Sequence, residues 1–152
     1  MNDISNLEER RITLRLLAYW EKKRGVRAMP EENDIDPADL ADLWENCFLA
    51  QVKDLGKDHH FTYLGSAIHD IYAQGLTEED DREHIHPDIE ALASHYHEVI
   101  AKSAPVVTEG EFSNPHGDLF KYRQVLLPLG QGKNVKAVFG GMRFLRIRAY
   151  GS

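Results

Sequence analysis

The stretch Leu119–Arg146, LFKYRQVLLPLGQGKNVKAVFGGMRFLR, reads as two long apolar strands joined by a short glycine-bearing turn. In its first arm Phe120, Tyr122, Gln124 and Leu126 share one face while Lys121 and Arg123 share the other, the period-2 signature of a half-buried strand. From Val125 to Leu129 both faces turn apolar. Gly130-Gln131-Gly132-Lys133-Asn134 supplies turn residues that tolerate positive φ, and the second arm runs through Val135, Ala137, Val138, Phe139, Met142 and Phe144. Gly140-Gly141 inside that arm predicts a bulge or a close approach of another backbone, unless it serves core packing of the long helix. An isolated pair of strands is at best marginal in water, so the rest of the chain must supply further strands and a covering helix.

The upstream sequence does so. Ser5-Asn6-Leu7-Glu8 is a capping box, and the helix it opens carries Leu7, Leu14, Leu17 and Ala18 on one side and Ile12, Leu16, Tyr19 and Trp20 on another. Lys22-Lys23-Arg24-Gly25 closes it with cations and a C-cap glycine. So wide an apolar belt fits either deep packing in one domain or one side packed at home and the other on a second copy. Met29-Pro30 and Asp34-Ile35-Asp36-Pro37 form a connector, with Asp36 as N-cap of a short helix to about Trp44. Cys47–Asp54 and His60–Gly65 read as a hairpin around Leu55-Gly56-Lys57-Asp58. Ser66–Ala73 is a short helix, Glu78–Glu83 an acidic loop, and Pro87 opens a helix in which Ile89, Leu92, Tyr96, Val99 and Ile100 make one stripe. Val106–Phe112 is a third strand before the final pair. Five antiparallel strands with helices inserted between the second and third make an α+β fold.

Composition narrows the function. A chain of 152 residues with 42% hydrophobic content fits a single globular core. A net charge of -7 argues against a general nucleic-acid binder. Charge is uneven, with seven Lys or Arg against the single Asp118 from Phe112 onward, either a solvated surface or a basic sheet face for an acidic partner. One cysteine, Cys47, excludes an internal disulfide framework and fits a reducing compartment. No apolar run reaches the roughly 18 residues of a membrane span, and MNDISNLEER lacks the features of a secretion signal, so the expected location is cytoplasmic.

Tyr19-Trp20 with Lys23-Arg24-Gly25, Met29-Pro30, Asp34-Ile35-Asp36-Pro37, Phe61-Thr62-Tyr63-Leu64-Gly65-Ser66-Ala67-Ile68 and Leu126-Leu127-Pro128-Leu129 followed by Gly140-Gly141 occur in an order that resembles the PAS fold. They are similar in particular to the single-domain PAS group common in alphaproteobacteria. The resemblance spans roughly Leu14 to Phe144, with residues 1–30 as an N-terminal helix and connector and 31–148 as the PAS-like domain. It implies a five-stranded sheet whose inserted helices enclose a small pocket used for ligand sensing, dimerisation or partner docking rather than catalysis. Glu78 stands where the family pattern continues with glycine after Gly75-Leu76-Thr77, so the turn at the pocket mouth is expected to differ and no family ligand is carried over.

His84, His86, His95 and His97 invite a metal, but helical positions two apart point about 200° from each other, so His95 and His97 cannot share an ion, and with His69 they sit at the margins of the apolar faces where no haem would be held. Flavin-adduct chemistry needs a cysteine on the helical side of the pocket, whereas Cys47 lies on the first strand and reads as a small buried hydrophobe. Gly130 and Gly132 lie in a hairpin, not in a phosphate loop. His69-Asp70 beside Ser66 is the one cluster that suggests an enzyme, a small cone-shaped α+β isomerase or dehydratase.

The reading preferred here is a non-enzymatic PAS-type sensor. Tyr63, Ile68, Tyr72, Leu92, Tyr96, Phe139 and Met142 are expected to line its pocket unless they simply fill the core. Leu14, Leu17 and Trp20 are expected to meet a second copy or a partner. A homodimer is expected, with output through a separate signalling protein. The alternatives are the His69-Asp70 enzyme and a ligand-free scaffold.

Overall fold

The computed structural model describes residues 3–54, 61–73, 89–114 and 116–149. Helix α1 (Asp3–Arg24) leads through short 3-10 turns at Glu32–Asp34, Pro37–Leu40 and Trp44–Asn46 into β1 (Cys47–Gln51). A further 3-10 turn at Val52–Asp54 precedes β2 (Phe61–Leu64), α2 (Ser66–Ala73) and α3 (Ile89–Lys102). The chain ends in β3 (Val106–Ser113), β4 (Leu119–Gln131) and β5 (Asn134–Arg148). The five strands form one antiparallel sheet in the order β2-β1-β5-β4-β3, the α+β arrangement expected from the sequence.

The two-faced apolar run of β4 has a direct cause: the sheet carries a core on each side. On one face Ile12, Leu16 and Trp20 of α1 pack against Val125, Leu127, Leu129, Ala137 and Phe139. On the other, Ile68 of α2 and Tyr96 and Val99 of α3 pack against Tyr122, Leu126, Val138 and Met142. Each of these side chains removed from water contributes about 1.5–3 kcal/mol before entropic costs. Gly132, with φ of +58°, is the first of the two residues that turn β4 into β5, between the paired Gln131 and Asn134.

Among the described residues the amino-terminal helix buries one side of its apolar belt at home and leaves Leu14 of the other outward, with Leu17 packed at the edge of the core. Ile12, Leu16 and Trp20, four apart, are buried at 4% exposure or less, while Leu14 stands 64% exposed and Leu17 is half-buried at the margin. Trp20 Nε1 donates to the carbonyl of Pro128 at 2.8 Å, and Gly130 N donates to the Pro30 carbonyl at 2.9 Å. Pairing of β3 with β4 ends at Val106 opposite Leu126, so α1 and the connector satisfy backbone groups that β3 leaves uncovered. Pro128, which has no N–H to give a ladder, fits that edge. Gly25, with φ of +58°, ends α1 as the C-cap expected of it.

Several local expectations shift. The helix expected from Asp36 to Trp44 is two 3-10 turns, because Leu40 and Leu43, three apart, are the side chains it buries. Asp36 nevertheless caps it, its carboxylate accepting from Ala38 N at 3.0 Å. Strand β1 stops at Gln51 rather than Asp54, and the turn expected at Leu55–Asp58, the acidic loop at Glu78–Glu83 and the Pro87 helix start lie outside the described residues. The bulge expected at Gly140-Gly141 is absent: Leu126 pairs with Gly140 and Val125 with Gly141 in unbroken register. Those glycines admit close neighbours instead. A Cβ on Gly140 would lie 2.2 Å from the Val125 main-chain oxygen, the close backbone approach expected, and 2.6 Å from the Phe48 ring, and one on Gly141 would lie 2.4 Å from Leu16 Cδ1.

Polar contacts clamp α1 to the connector. Arg15 pairs with Asp42, Lys23 Nζ lies 3.3 Å from Asp39, and Tyr19 donates its hydroxyl to Asp39 at 2.9 Å while accepting from Asp36 N at 3.0 Å. Burial, the leading cause, together with Asp39 pushes Tyr19 up to about 12. The Tyr19 and Lys23 hydrogen bonds hold Asp39 below the ordinary carboxylate range, and the Arg15 hydrogen bond does the same for Asp42. Carboxyls depressed in the folded state stabilise it above their unfolded pKa, and that contribution is lost as pH falls through the folded values. The melting temperature is therefore expected to hold down to about pH 4 and to fall below it. Asp39→Asn should shallow that acid limb in a pH series of thermal melts, and an identical limb would remove Asp39 from the clamp.

Candidate ligand-binding face

The face of the sheet under α2 and α3 is built from the even-numbered residues of β4. Tyr122, Gln124 and Leu126 point into it with Val106 of β3, Val138 and Met142 of β5, Phe48 and Ala50 of β1, Ile68 of α2 and Tyr96 and Val99 of α3. Tyr122 lies across its directly paired neighbour Gly110, where a Cβ would come within 2.7 Å of the tyrosine hydroxyl. Burial pushes the Tyr122 phenol upward. At the open end of this face Phe112, Phe120 and Phe144 gather, with Phe112 and Phe120 stacked at 5.5 Å and the Arg146 guanidinium 5.8 Å from the Phe120 centroid.

One residue of this face breaks the apolar pattern. Gln124 is 0% exposed, and among the described residues neither its Oε1 nor its Nε2 has a hydrogen-bond partner. Thr108, directly opposite it on β3, has a buried hydroxyl in the same condition. Met142 is paired with Gln124 on its other side. A primary amide buried without partners costs about 1–3 kcal/mol, so the position is unfavourable to the chain as it stands.

The expected pocket residues divide between the faces. Ile68, Tyr96 and Met142 come together in the core under α2 and α3. Tyr63 and Phe139 fall on the opposite face, where Tyr63 stacks on Trp44 at 4.5 Å and donates its hydroxyl to the Trp44 carbonyl at 2.7 Å. Tyr72 and Leu92 lie outside the described side chains. The signal for Gln124 was present in the sequence: a glutamine at the centre of the inward face Phe120, Tyr122, Gln124, Leu126. Of the residues expected to meet a partner, Leu14 is outward, Leu17 is half-buried, and Trp20 is 3% exposed in the core of its own chain.

The other candidate chemistries are placed as follows. Cys47 lies on the α1 face with its Sγ 3.3 Å from the Leu43 carbonyl, and burial pushes the thiol up to about 12, far from a reactive thiolate. His69 Nδ1 is 3.4 Å from Asp70 Oδ1, but the Asp70 side chain is 74% exposed and Ser66 is exposed, so the three do not converge on a cleft. His95 is half-buried and His97 exposed on α3, while His84 and His86 lie outside the described residues. Among the described residues no three His, Cys, Asp or Glu side chains gather as metal ligands. No described helix is long and apolar enough to cross a membrane. A separate open cleft of about 310 Å³ lies at the far end of the α1 face between Glu31, Glu32, Gln51, Gln131 and Lys136. Its walls are already tied together, Gln51 to Glu32 at 2.8 Å and Gln131 to Glu31 at 2.7 Å.

A family model described as a PAS domain matches residues 9–143. The light-state structure of the blue-light photoreceptor Aureochrome1 LOV is similar at 11% identity and a TM-score of 0.49, covering 70% of this chain and 86% of that one. An RNA-binding Light-Oxygen-Voltage receptor is similar at 18% identity and a TM-score of 0.48, over 78% of this chain and 36% of that one. The PAS domain of a protein from Colwellia psychrerythraea is similar at 12% identity and a TM-score of 0.47, over 73% of this chain and 98% of that one. No curated protein matches the sequence.

Proposed function

The chain belongs to the PAS domain family, and from that premise we propose that it is a non-enzymatic cytoplasmic sensor module that takes a small molecule on the face under α2 and α3. The observation that carries the reading is the alternation of β4. Gln124 and Leu126 face the α2 and α3 side, whereas Val125 and Leu127 between them face α1, so one strand separates the ligand face from the helix that would report on it. A ligand that binds two packings of that strand unequally would shift the position of α1 by its difference in affinity. The outward Leu14, with Leu17 beside it, would then form the contact with a second copy, and a separate signalling protein would carry the output.

Native mass spectrometry of protein purified without denaturant, followed by denaturing spectra of the same sample, tests the reading. A dimer that loses a discrete small-molecule mass on denaturation is the expected result. Leu14→Glu places a charge on the outward contact and is expected to shift sedimentation to the monomer with the melting temperature nearly unchanged. Full packing of Ile68, Tyr96 and Met142, none above 2% exposed, favours a second reading as a ligand-free scaffold. A dimer with no bound mass would select it.

A further inference from the structure

We infer that Gln124, with Thr108 beside it, is the polar anchor of the α2 and α3 face, and that it takes a small uncharged molecule presenting a lactam or primary-amide edge. The inference rests on the ligand-sensing reading above and names the class of ligand. Its ground is the pair of unpartnered groups: both amide atoms of a fully buried glutamine and the hydroxyl of the threonine paired with it across the sheet. Directly paired residues point to the same side with Cβ atoms about 4.5–5.5 Å apart, so one small molecule can reach both.

The donor and acceptor pattern sets the chemistry. A primary carboxamide places an N–H donor and a carbonyl acceptor side by side, and its complement is another amide with N–H and C=O on one edge. The threonine hydroxyl adds a group that can donate or accept. Charge sets the rest. Among the described residues the core cluster of this face, with Phe48, Ile68, Val99, Leu126, Val138 and Met142, carries no counter-ion, so an anionic or cationic ligand would be desolvated there without compensation. Met142, paired with Gln124 on the side away from Thr108, has an unbranched side chain that can swing to make room for a ring.

The test uses 2-pyridone as probe and N-methyl-2-pyridone as its control, which keeps the ring and carbonyl but lacks the N–H. In the full-length, nitrogen-15-labelled protein the Gln124 side-chain amide resonance is assigned by its loss in Gln124→Met. Titration with 2-pyridone is expected to move that resonance saturably, and the N-methyl compound to bind at least about tenfold more weakly. With both proteins freed of bound small molecule, Gln124→Met is expected to abolish the response yet raise the melting temperature by about 2–8 °C, because the unpartnered amide is gone. A glutamine with a merely structural role would lower it. Thr108→Val offers a second, near-isosteric variant and is expected to weaken 2-pyridone about tenfold with the fold intact.

An unmoved resonance, an equal response to both compounds, or a trapped water detected at the Gln124 amide that 2-pyridone does not displace would overturn the inference. The bound mass separates its failure from that of the sensor reading. A native small molecule retained equally by the parent protein and Gln124→Met leaves the sensor in place and removes the amide anchor. Absence of any bound mass together with no 2-pyridone response removes both.

Discussion

Gly65→Ala is expected to destabilise the fold by about 3 kcal/mol, lowering the melting temperature by about 6–12 °C. Gly65 sits between β2 and α2 without a positive φ, so the requirement for glycine is one of space. An ideal Cβ would lie 2.2 Å from the Glu45 carbonyl oxygen, 2.5 Å from its carbon and 2.8 Å from the Cys47 oxygen, all of them main-chain atoms. Neither side can give way cheaply. Gly65 N donates to the Cys47 carbonyl at 2.8 Å, and the Gly65 carbonyl accepts from Ile68 N and His69 N at 3.1 and 3.0 Å. Relief of the overlap must pull the edge strand β2 from β1 or shift α2, which carries Ile68 away from the core it shares with α3. Urea unfolding measures the loss as a lower midpoint at unchanged slope. Gly132→Ala is the control, since nothing lies within 4 Å of its Cβ position and only the left-handed φ is strained, at about 1–2 kcal/mol. Equal midpoints for Gly65→Ala and the parent protein would refute the close approach.

That glycine shows where the sequence speaks and where it is silent. The run Phe61–Ile68 places a strand, a glycine and a helix in order, and α2 lies at Ser66–Ala73 as its pattern indicates. What Gly65 touches comes from Glu45 and Cys47, residues whose proximity depends on pairing that no local pattern specifies. The same division runs through the rest of the fold. Alternation in Phe120–Leu126 and the doubly apolar Val125–Leu129 identify a central strand covered on both sides, because each strand residue reports the polarity of its own face. Relative faces of different strands are harder to read.

The candidate site shows the difficulty at single residues. Phe139 and Met142 are three apart on β5 and share a face only if a bulge intervenes, and Gly140-Gly141 suggests one. With the register unbroken, Phe139 joins the α1 face and Met142 the α2 and α3 face. The glycines answer a need for space, admitting the Val125 main-chain oxygen and Phe48 at Gly140 and Leu16 at Gly141, which the local sequence cannot distinguish from a bulge. Gln124 is legible in kind and not in consequence. Its inward phase follows from alternation, but only the surrounding side chains reveal that its amide has no partner.

Trp20→Ala is expected to cost about 3–5 kcal/mol, the range for removing a buried tryptophan or phenylalanine ring. The ring fills the α1 face with Ile12, Leu16 and Met29, and its loss also leaves the Pro128 carbonyl without its 2.8 Å donor on an edge that β3 does not cover. Trp20→Phe separates the two terms. It keeps most of the ring and removes the hydrogen bond, so its cost is expected near 1–2 kcal/mol. The pair also tests how α1 communicates with the sheet. If α1 associates through the outward Leu14 while Trp20 holds its other side to β4, Trp20→Ala weakens folding and association together. Leu14→Glu weakens association alone, and Trp20→Phe leaves association in place while loosening the tie to Pro128. Chemical denaturation and sedimentation on the three variants read these separately. Association lost in Trp20→Ala with an unchanged denaturation midpoint would mean that the tryptophan serves the partner rather than its own core. The buried ring and its hydrogen bond to β4 make the opposite outcome the expected one.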